Sequence, residues 1–91
     1  MSDPRRLARI FKALSVDTRV RIIQLLKKRS LCVNALSSHL GISPPAVSQH
    51  LRVLRDAEII RGEKKGYYVH YEVNEETLAV WKNIIDDLLI I

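Results

Sequence analysis

Apolar side chains recur at helical spacing through the first half of this chain, and particular residue types mark where helices begin. Asp3 is a preferred N-cap residue and Pro4 suits a first helical position, so a helix is predicted from Pro4 to Leu14. Ser15 is the predicted N-cap of a second helix, near Val16 to Lys28. Apolar residues occupy more than one face of this second helix, which is typical of a central, largely buried element.

Two shorter helices are predicted on either side of a tight turn. The first runs from about Leu31 to Leu40 and ends at Gly41, a residue type common just after helices. The second begins after the predicted N-cap Ser43 and runs to about Ala57. Two helices joined by three or four residues that include a glycine form a helix-turn-helix, which is therefore predicted over residues 31–57.

The apolar period then changes from that of a helix to that of a strand, which predicts a β-hairpin. Its strands span residues 59–64 and 67–73, and Lys64-Lys65-Gly66 is the predicted basic tip. Alternation divides the second strand into two faces. One face carries Tyr67, Val69, Tyr71 and Val73, and the other carries Tyr68, His70 and Glu72.

Asn74 is the predicted N-cap of a last helix, which runs to about Ile91. Apolar residues lie nearly all round this helix, so one face packs on its own domain and the rest needs a partner. The predicted fold is therefore mostly α with a small β-hairpin, of the α+β class. Its elements follow the order α-α-α-α-β-β-α in a single domain over residues 1–91.

Charge is distributed unevenly along the 91 residues. The formal net charge is +5, yet residues 1–73 hold 14 basic and 6 acidic residues, whereas residues 74–91 hold 1 basic and 4 acidic residues. A basic excess favours a polyanionic partner such as nucleic acid. The surface that faces such a partner is therefore expected in the first three quarters of the chain.

Composition excludes several classes of protein. A single cysteine cannot form an intrachain disulfide, and the sequence shows neither a signal peptide nor an apolar stretch long enough to span a membrane. A cytoplasmic location is therefore expected. The three glycines form no phosphate-binding loop, and no nucleophile is paired with a base. Neither an enzyme nor a cofactor is predicted.

Four stretches of the sequence together resemble the ArsR/SmtB-type family of small dimeric winged-helix repressors. They are Phe11-Lys12-Ala13-Leu14-Ser15 with Thr18-Arg19, Ile42-Ser43 with the run Val47-Ser48-Gln49-His50-Leu51-Arg52-Val53-Leu54-Arg55, Ile59-Ile60, and Gly66-Tyr67-Tyr68-Val69-His70-Tyr71. The resemblance covers about residues 8–73. It implies a homodimer that binds double-stranded DNA, with a wing at residues 59–73 and dimer-forming helices at residues 4–14 and 75–91. In this family a metal or another signal usually lowers the affinity for the operator.

The second helix of the predicted helix-turn-helix combines a buried stripe with a face suited to DNA. At 100° per residue, Val47, Leu51 and Leu54 lie within about 60° of each other. The side chains that point away include types that bind base edges, since Gln pairs with adenine, Arg with guanine and Ser with either. The lysines of the hairpin are expected to contact phosphate or to lie in a minor groove. The predicted DNA-binding residues are Ser43, Pro45, Ser48, Gln49, Arg52, Arg55, Lys64, Lys65 and Tyr68.

Apolar residues of the first and last helices are the predicted dimer interface. A chain this short cannot cover all the apolar surface of its last helix. The resemblance implies the same pairing, because the family's dimer-forming helices are its first and last. The predicted interface residues are Leu7, Ile10, Phe11, Leu78, Trp81, Ile85, Leu88 and Leu89.

Neither of the family's usual metal sites is complete in this sequence. The site on the third helix uses a Cys-x-Cys pair, but here Asn34, a poor ligand for a soft metal, replaces the thiol two residues after Cys32. His39 is about 10 Å from Cys32 along a helix, too far for both to bind one ion. The other site uses His and carboxylates on the last helix, which contains no histidine. No metal site is predicted, and the identity of a small-molecule or redox effector stays open.

Two functions fit these observations. The leading one is a sequence-specific regulator that binds double-stranded DNA, a repressor acting as a homodimer on an inverted-repeat operator without the family's metal switch. The alternative is a winged-helix module that binds another protein and does not read DNA. In that case the polar helix face and the basic hairpin are only solvated surface. Under the leading function, Lys12 and Arg19 are weaker candidates for phosphate contact. A titration against duplex DNA at low salt separates the two.

Overall fold

The computed structural model describes residues 3–91 as five helices and a small antiparallel sheet. In chain order the elements are α1 (Pro4–Leu14), α2 (Asp17–Leu26), β1 (Leu31–Cys32), α3 (Val33–Leu40), α4 (Pro44–Asp56), β2 (Ile60–Lys65), β3 (Tyr68–Val73) and α5 (Glu75–Leu89). This architecture confirms the predicted helix-rich winged helix-turn-helix and adds β1, which the sequence pattern did not predict. Within residues 3–91, no helix has the length and apolar character needed to cross a membrane.

Three predicted N-caps hold their helices in the expected way. The side chains of Asp3, Ser43 and Asn74 each accept a hydrogen bond from a backbone N–H two or three residues later, at 3.0, 3.3 and 3.3 Å. Gly41 ends α3 in the left-handed conformation, with φ of 68°, as its position predicts. The starts of α1, α4 and α5 and the end of α3 therefore follow from local sequence.

The prediction that Ser15 caps the second helix is wrong, because Ser15 closes α1 instead. Its hydroxyl donates to the Lys12 carbonyl at 2.7 Å, and α2 begins after Val16 without a side-chain cap. Arg19 donates from Nε to the Ala13 carbonyl at 2.7 Å and from Nη2 to the Lys12 carbonyl at 2.9 Å. The last carbonyls of a helix lack partners within it, so these donors satisfy them and tie α2 to α1. This structural role weakens the case for Arg19 as a phosphate contact.

The prediction that the third helix begins near Leu31 is also wrong. Leu31 and Cys32 form β1, which pairs antiparallel with β3, so that Leu31 lies opposite Tyr71 and Cys32 opposite His70. β3 pairs on its other side with β2, which gives the sheet the order β1-β3-β2. Two residues are too few to show an alternating pattern, and their strand conformation depends on the free edge of β3.

The tip of the hairpin lies further along the chain than the sequence predicts. Lys65 pairs with Tyr68, so Gly66 and Tyr67 form a two-residue turn, and Lys64 and Lys65 belong to β2 rather than to the tip. Gly66 adopts φ of 65°, a conformation that glycine reaches without strain and that two-residue hairpin turns require. Tyr67 consequently lies at the tip with 98% of its surface exposed, instead of on a strand face.

The core forms where α2, α3 and α4 meet the start of β2. Its fully buried side chains are Ile22, Leu36, Val47, Leu51, Leu54 and Ile59. Three of these confirm the buried stripe predicted for α4, which leaves the opposite face of that helix directed outward. The buried residues of α2 confirm its prediction as a central helix.

Replacing Arg19 by alanine is expected to lower the free energy of unfolding by about 1–2 kcal/mol, because two carbonyls at the end of α1 lose a charged, partly buried donor. Arg21→Ala is the matched control, since it removes the same charge from an exposed position of the same helix. Urea unfolding followed by circular dichroism compares the two variants. Equal losses in both would show that the hydrogen bonds of Arg19 contribute nothing specific.

Candidate nucleic-acid interface

The face of α4 opposite its buried stripe is open to solvent. Ser48, Gln49 and Arg52 are all exposed on this face, as are Ser43 and Pro45 at the start of the helix. The Ser43 hydroxyl also accepts a backbone hydrogen bond, so it fixes the start of α4 as well as lying beside the candidate contact residues. These side-chain types, presented from the first turns of the second helix of a helix-turn-helix, suit contact with base edges in a major groove.

The turn between α3 and α4 is tied to α3 by hydrogen bonds. The Ser37 hydroxyl donates to the Ile42 carbonyl at 2.5 Å, and the Gly41 N–H donates to the Ser37 carbonyl at 2.9 Å. The sequence did not single out Ser37, because nothing in the local pattern shows that its hydroxyl reaches across the turn. These bonds fix the direction in which α4 leaves α3, and therefore where its exposed face points.

The hairpin of β2 and β3 carries two exposed lysines near its tip. Neither Lys64 nor Lys65 forms a salt bridge with any residue in the described range 3–91. Arg61, by contrast, donates to Glu72 at 2.8 Å, and this hydrogen bond raises the pKa of the guanidinium. Because successive residues of a strand alternate, Lys64 and Lys65 point to opposite faces of the hairpin, and Lys65 shares its face with its exposed partner Tyr68.

Arg55 links the exposed face of α4 to the hairpin. It lies two turns after Ser48, and its guanidinium carbon is 5.9 Å from the centroid of the Tyr71 ring, which is within the range of a cation–π contact. The sequence predicted Arg55 as a DNA contact and Tyr71 only as a strand residue. No sequence signal could have joined them, because their contact depends on how α4 packs against the sheet.

The candidate metal ligands do not converge on one point within residues 3–91. Cys32 is partly buried at the end of β1, opposite His70, and the register of β2 places Glu63 on the other side of His70. His39 is exposed on α3. Across the part of the chain that the structure describes, no three His, Cys, Asp or Glu side chains are grouped so that they could hold a metal ion. Each subunit supplies one thiolate, Cys32, to a site of the helix-three type.

The residues predicted for a dimer interface divide into two groups. Three of them, with exposed fractions of 9%, 3% and 5%, are buried within one chain and leave almost no surface for a partner: Leu7, Ile10 and Trp81. The others keep accessible surface. Phe11, Leu88 and Leu89 are exposed, and Leu78 and Ile85 are half-buried beside an apolar cavity of about 270 Å³ between α2 and α5.

Two comparisons of the sequence with known proteins point to the same group of bacterial regulators. Residues 17–61 match the family described as bacterial regulatory protein, arsR family. The transcriptional repressor SdpR of Bacillus subtilis (strain 168) is 38% identical over 69 residues, which cover 76% of this chain and 77% of that protein. The similarity therefore extends well beyond the helix-turn-helix.

Solved structures share the fold. An ArsR-like transcriptional regulator from Rhodococcus sp. RHA1 superposes with a TM-score of 0.81 at 25% identity, covering 91% of this chain and 78% of that one. The homodimeric winged helix-turn-helix DNA-binding domain of a possible ArsR-family regulator from Mycobacterium bovis gives a TM-score of 0.76 at 21% identity, covering 100% and 92% of the two chains. With the family match and the winged helix-turn-helix geometry, these similarities show that the chain belongs to the ArsR family of bacterial transcriptional regulators and is not an enzyme.

Proposed function

We propose that this protein is a transcriptional repressor that binds duplex DNA as a homodimer at an inverted-repeat operator. The observation that carries the proposal is that Ser48, Gln49 and Arg52 all point outward from α4. The hairpin beside this helix carries two lysines that form no salt bridge with a carboxylate of residues 3–91. Sequence-specific binding needs two kinds of contact, to base edges and to the DNA backbone. A helix in the groove makes the first kind and a basic wing makes the second. The name of the relative SdpR, a transcriptional repressor, supports repression as the outcome.

Dimerisation through α1 and α5 is supported by uncovered apolar surface. Leu88 and Leu89 are 50% and 69% exposed, and Phe11 on α1 is exposed as well. A symmetric pair would cover these side chains and place two α4 helices over the two halves of an inverted repeat. The domain from Mycobacterium bovis that shares the fold is homodimeric, which supports the assembly of two chains into a pair.

DNA binding by the metal-free protein is the third part of the proposal. Each subunit offers one thiol, Cys32, which has His70 as its neighbour across the sheet. A tight site for a thiophilic metal needs at least two thiolates or a comparable set of imidazoles, and α5 contains no histidine. The protein is therefore expected to respond to a signal other than the metals its family usually senses, or to none.

The variants Gln49→Ala and Arg52→Ala are each expected to weaken binding to the cognate operator by about 1–3 kcal/mol and to reduce discrimination, because each loses a contact to a base edge. The double variant Lys64→Ala with Lys65→Ala should weaken binding to all duplexes alike. It should also make the log–log salt dependence shallower by about 0.9 per lost phosphate contact. Fluorescence anisotropy measures both effects, using an operator selected from random duplexes and an unrelated duplex.

Lys82→Ala is the charge control for this experiment, because Lys82 lies on α5 and already pairs with Asp86 at 2.7 Å. Its salt dependence should match that of the wild type. If the helix and hairpin variants behaved identically on cognate and unrelated DNA, α4 would not be the reading helix. A flat wild-type titration at low salt would favour the alternative, a module that binds another protein.

Leu88→Asp is expected to convert the dimer to a monomer, since a buried unpaired carboxylate in an apolar interface is costly. Leu88 is exposed in the single chain, so the substitution should leave the subunit folded. Asn83→Asp is the matched control, because it adds the same charge at another exposed position of α5. Sedimentation equilibrium decides the result, and a wild-type protein that stays monomeric at micromolar concentration would contradict the proposed dimer.

Stoichiometric Zn²⁺, Cd²⁺ or As(III) under reducing conditions is expected to leave operator affinity within a few-fold of the metal-free value, because the ligand set is incomplete. Anisotropy titrations with and without each metal test this expectation. A tenfold loss corresponds to about 1.4 kcal/mol. A loss of that size that disappears in Cys32→Ser would make Cys32 a ligand and the expectation wrong.

A further inference from the structure

The Tyr71 ring supports the Arg55 side chain at the junction of α4 and the hairpin. Tyr71 is 8% exposed and belongs to the hydrophobic core, so its ring is held by packing. The exposed Arg55 guanidinium lies over this ring, with 5.9 Å between the guanidinium carbon and the ring centroid. A cation on a fixed aromatic face loses less conformational freedom when it binds a further partner than one on a free side chain.

The opposite strand leaves room for this ring. Gly62 lies across from Tyr71 in the register of β2 and β3. A Cβ atom at Gly62 would come within 2.9 Å of Val69 Cγ1 and 3.0 Å of Tyr71 Cε1, so these two side chains would have to shift to make room for it. The absence of a side chain at Gly62 therefore allows the ring to lie where Arg55 contacts it.

Arg55 occupies the same outward side of α4 as two candidate base contacts. At 100° per residue, Ser48, Arg52 and Arg55 fall within about 60° of one another. Arg55 contacts the hairpin at Tyr71. Lys64 shares the hairpin face of Gly62 and Tyr71 because strand residues alternate. One surface therefore runs from the exposed row of α4 through Arg55 to Lys64.

We propose that Tyr71, seated against Gly62, is a positioning residue that holds the Arg55 guanidinium for contact with a DNA phosphate between the major-groove helix and the wing. Arg55 then fixes the separation between the two DNA-contacting elements as well as adding a contact. This inference rests on the proposed DNA-binding function. It assigns to a buried strand residue an effect on affinity that operates through Arg55.

A double-mutant cycle on operator affinity tests the proposal, with Arg55→Ala and Tyr71→Leu as the two changes. Arg55→Ala should weaken binding about tenfold and make the log–log salt dependence shallower by about 0.9, the effect of one lost phosphate contact. Tyr71→Leu should reproduce most of that loss while Arg55 is present and add little once Arg55 is alanine. Tyr71→Phe keeps the ring face and should bind within about twofold of the wild type.

Two further variants separate positioning from folding. Gly62→Ala disturbs the ring from the opposite strand, so it should weaken binding in the wild-type background but not in the Arg55→Ala background. The cycle of Tyr71→Leu with Arg52→Ala is the matched control and should be additive, because the cation–π contact with the ring belongs to Arg55. Circular dichroism and thermal unfolding establish the folded fraction of every variant, and if Tyr71→Leu does not fold, Gly62→Ala decides.

A role of Tyr71 in folding alone would lower thermal stability and leave the effect of Arg55→Ala unchanged. Additive losses in the Tyr71–Arg55 cycle, or an Arg55→Ala variant with wild-type affinity and salt dependence, would overturn the proposal. If Arg52→Ala and the lysine variants still weaken binding in that case, the proposed DNA-binding function stands and only the positioning role fails. If none of these variants changes binding, the proposed function itself fails.

Discussion

The pairing of β3 with a strand on each side is the constraint on which the DNA-facing surface depends. Leu31, Tyr71 and Gly62 lie in one row across the three strands, so a single register fixes the chain entering α3, the aromatic ring beside α4 and the hairpin. A slip of one residue would turn Tyr71 to the other face of the sheet and remove it from the core. The helix-turn-helix and the wing are therefore placed by the same backbone hydrogen bonds and cannot be positioned independently.

Local chemistry predicted most helix boundaries because N-capping acts over two or three residues. Asp3 and Asn74 have one helix within reach, and Ser43 lies directly before α4 but three residues after α3 ends; each caps the helix that follows it. Ser15 lies between two helices, and the outcome depended on its hydroxyl reaching the last carbonyls of α1, which no local pattern reveals. Strand β1 was unpredictable for a related reason, since two residues become a strand only where another edge is available.

The exposed face of α4 was predictable because the buried stripe determines the face opposite it. The proposed dimer surface was harder to predict, because the sequence does not show whether an apolar helix residue is buried by its own chain or left free for a second chain. Ile10 and Trp81 look like Leu88 in sequence, yet the subunit buries the first two and leaves Leu88 exposed. The contact of Arg55 with Tyr71 likewise comes from packing between elements distant in sequence.

The alternation of Lys64 and Lys65 across the hairpin has a consequence for the kind of nucleic acid the wing can hold. Each wall of a groove in duplex DNA is formed by the backbone of a different strand. A hairpin lying edgewise in such a groove directs one lysine to each wall. Both lysines then contact phosphates when the two backbones have the spacing of the double helix. A single strand offers one backbone, so it lacks the fixed pair of walls that would meet both lysines. If the wing lies in a groove as proposed, the pleat of β2 would thus favour paired over unpaired DNA.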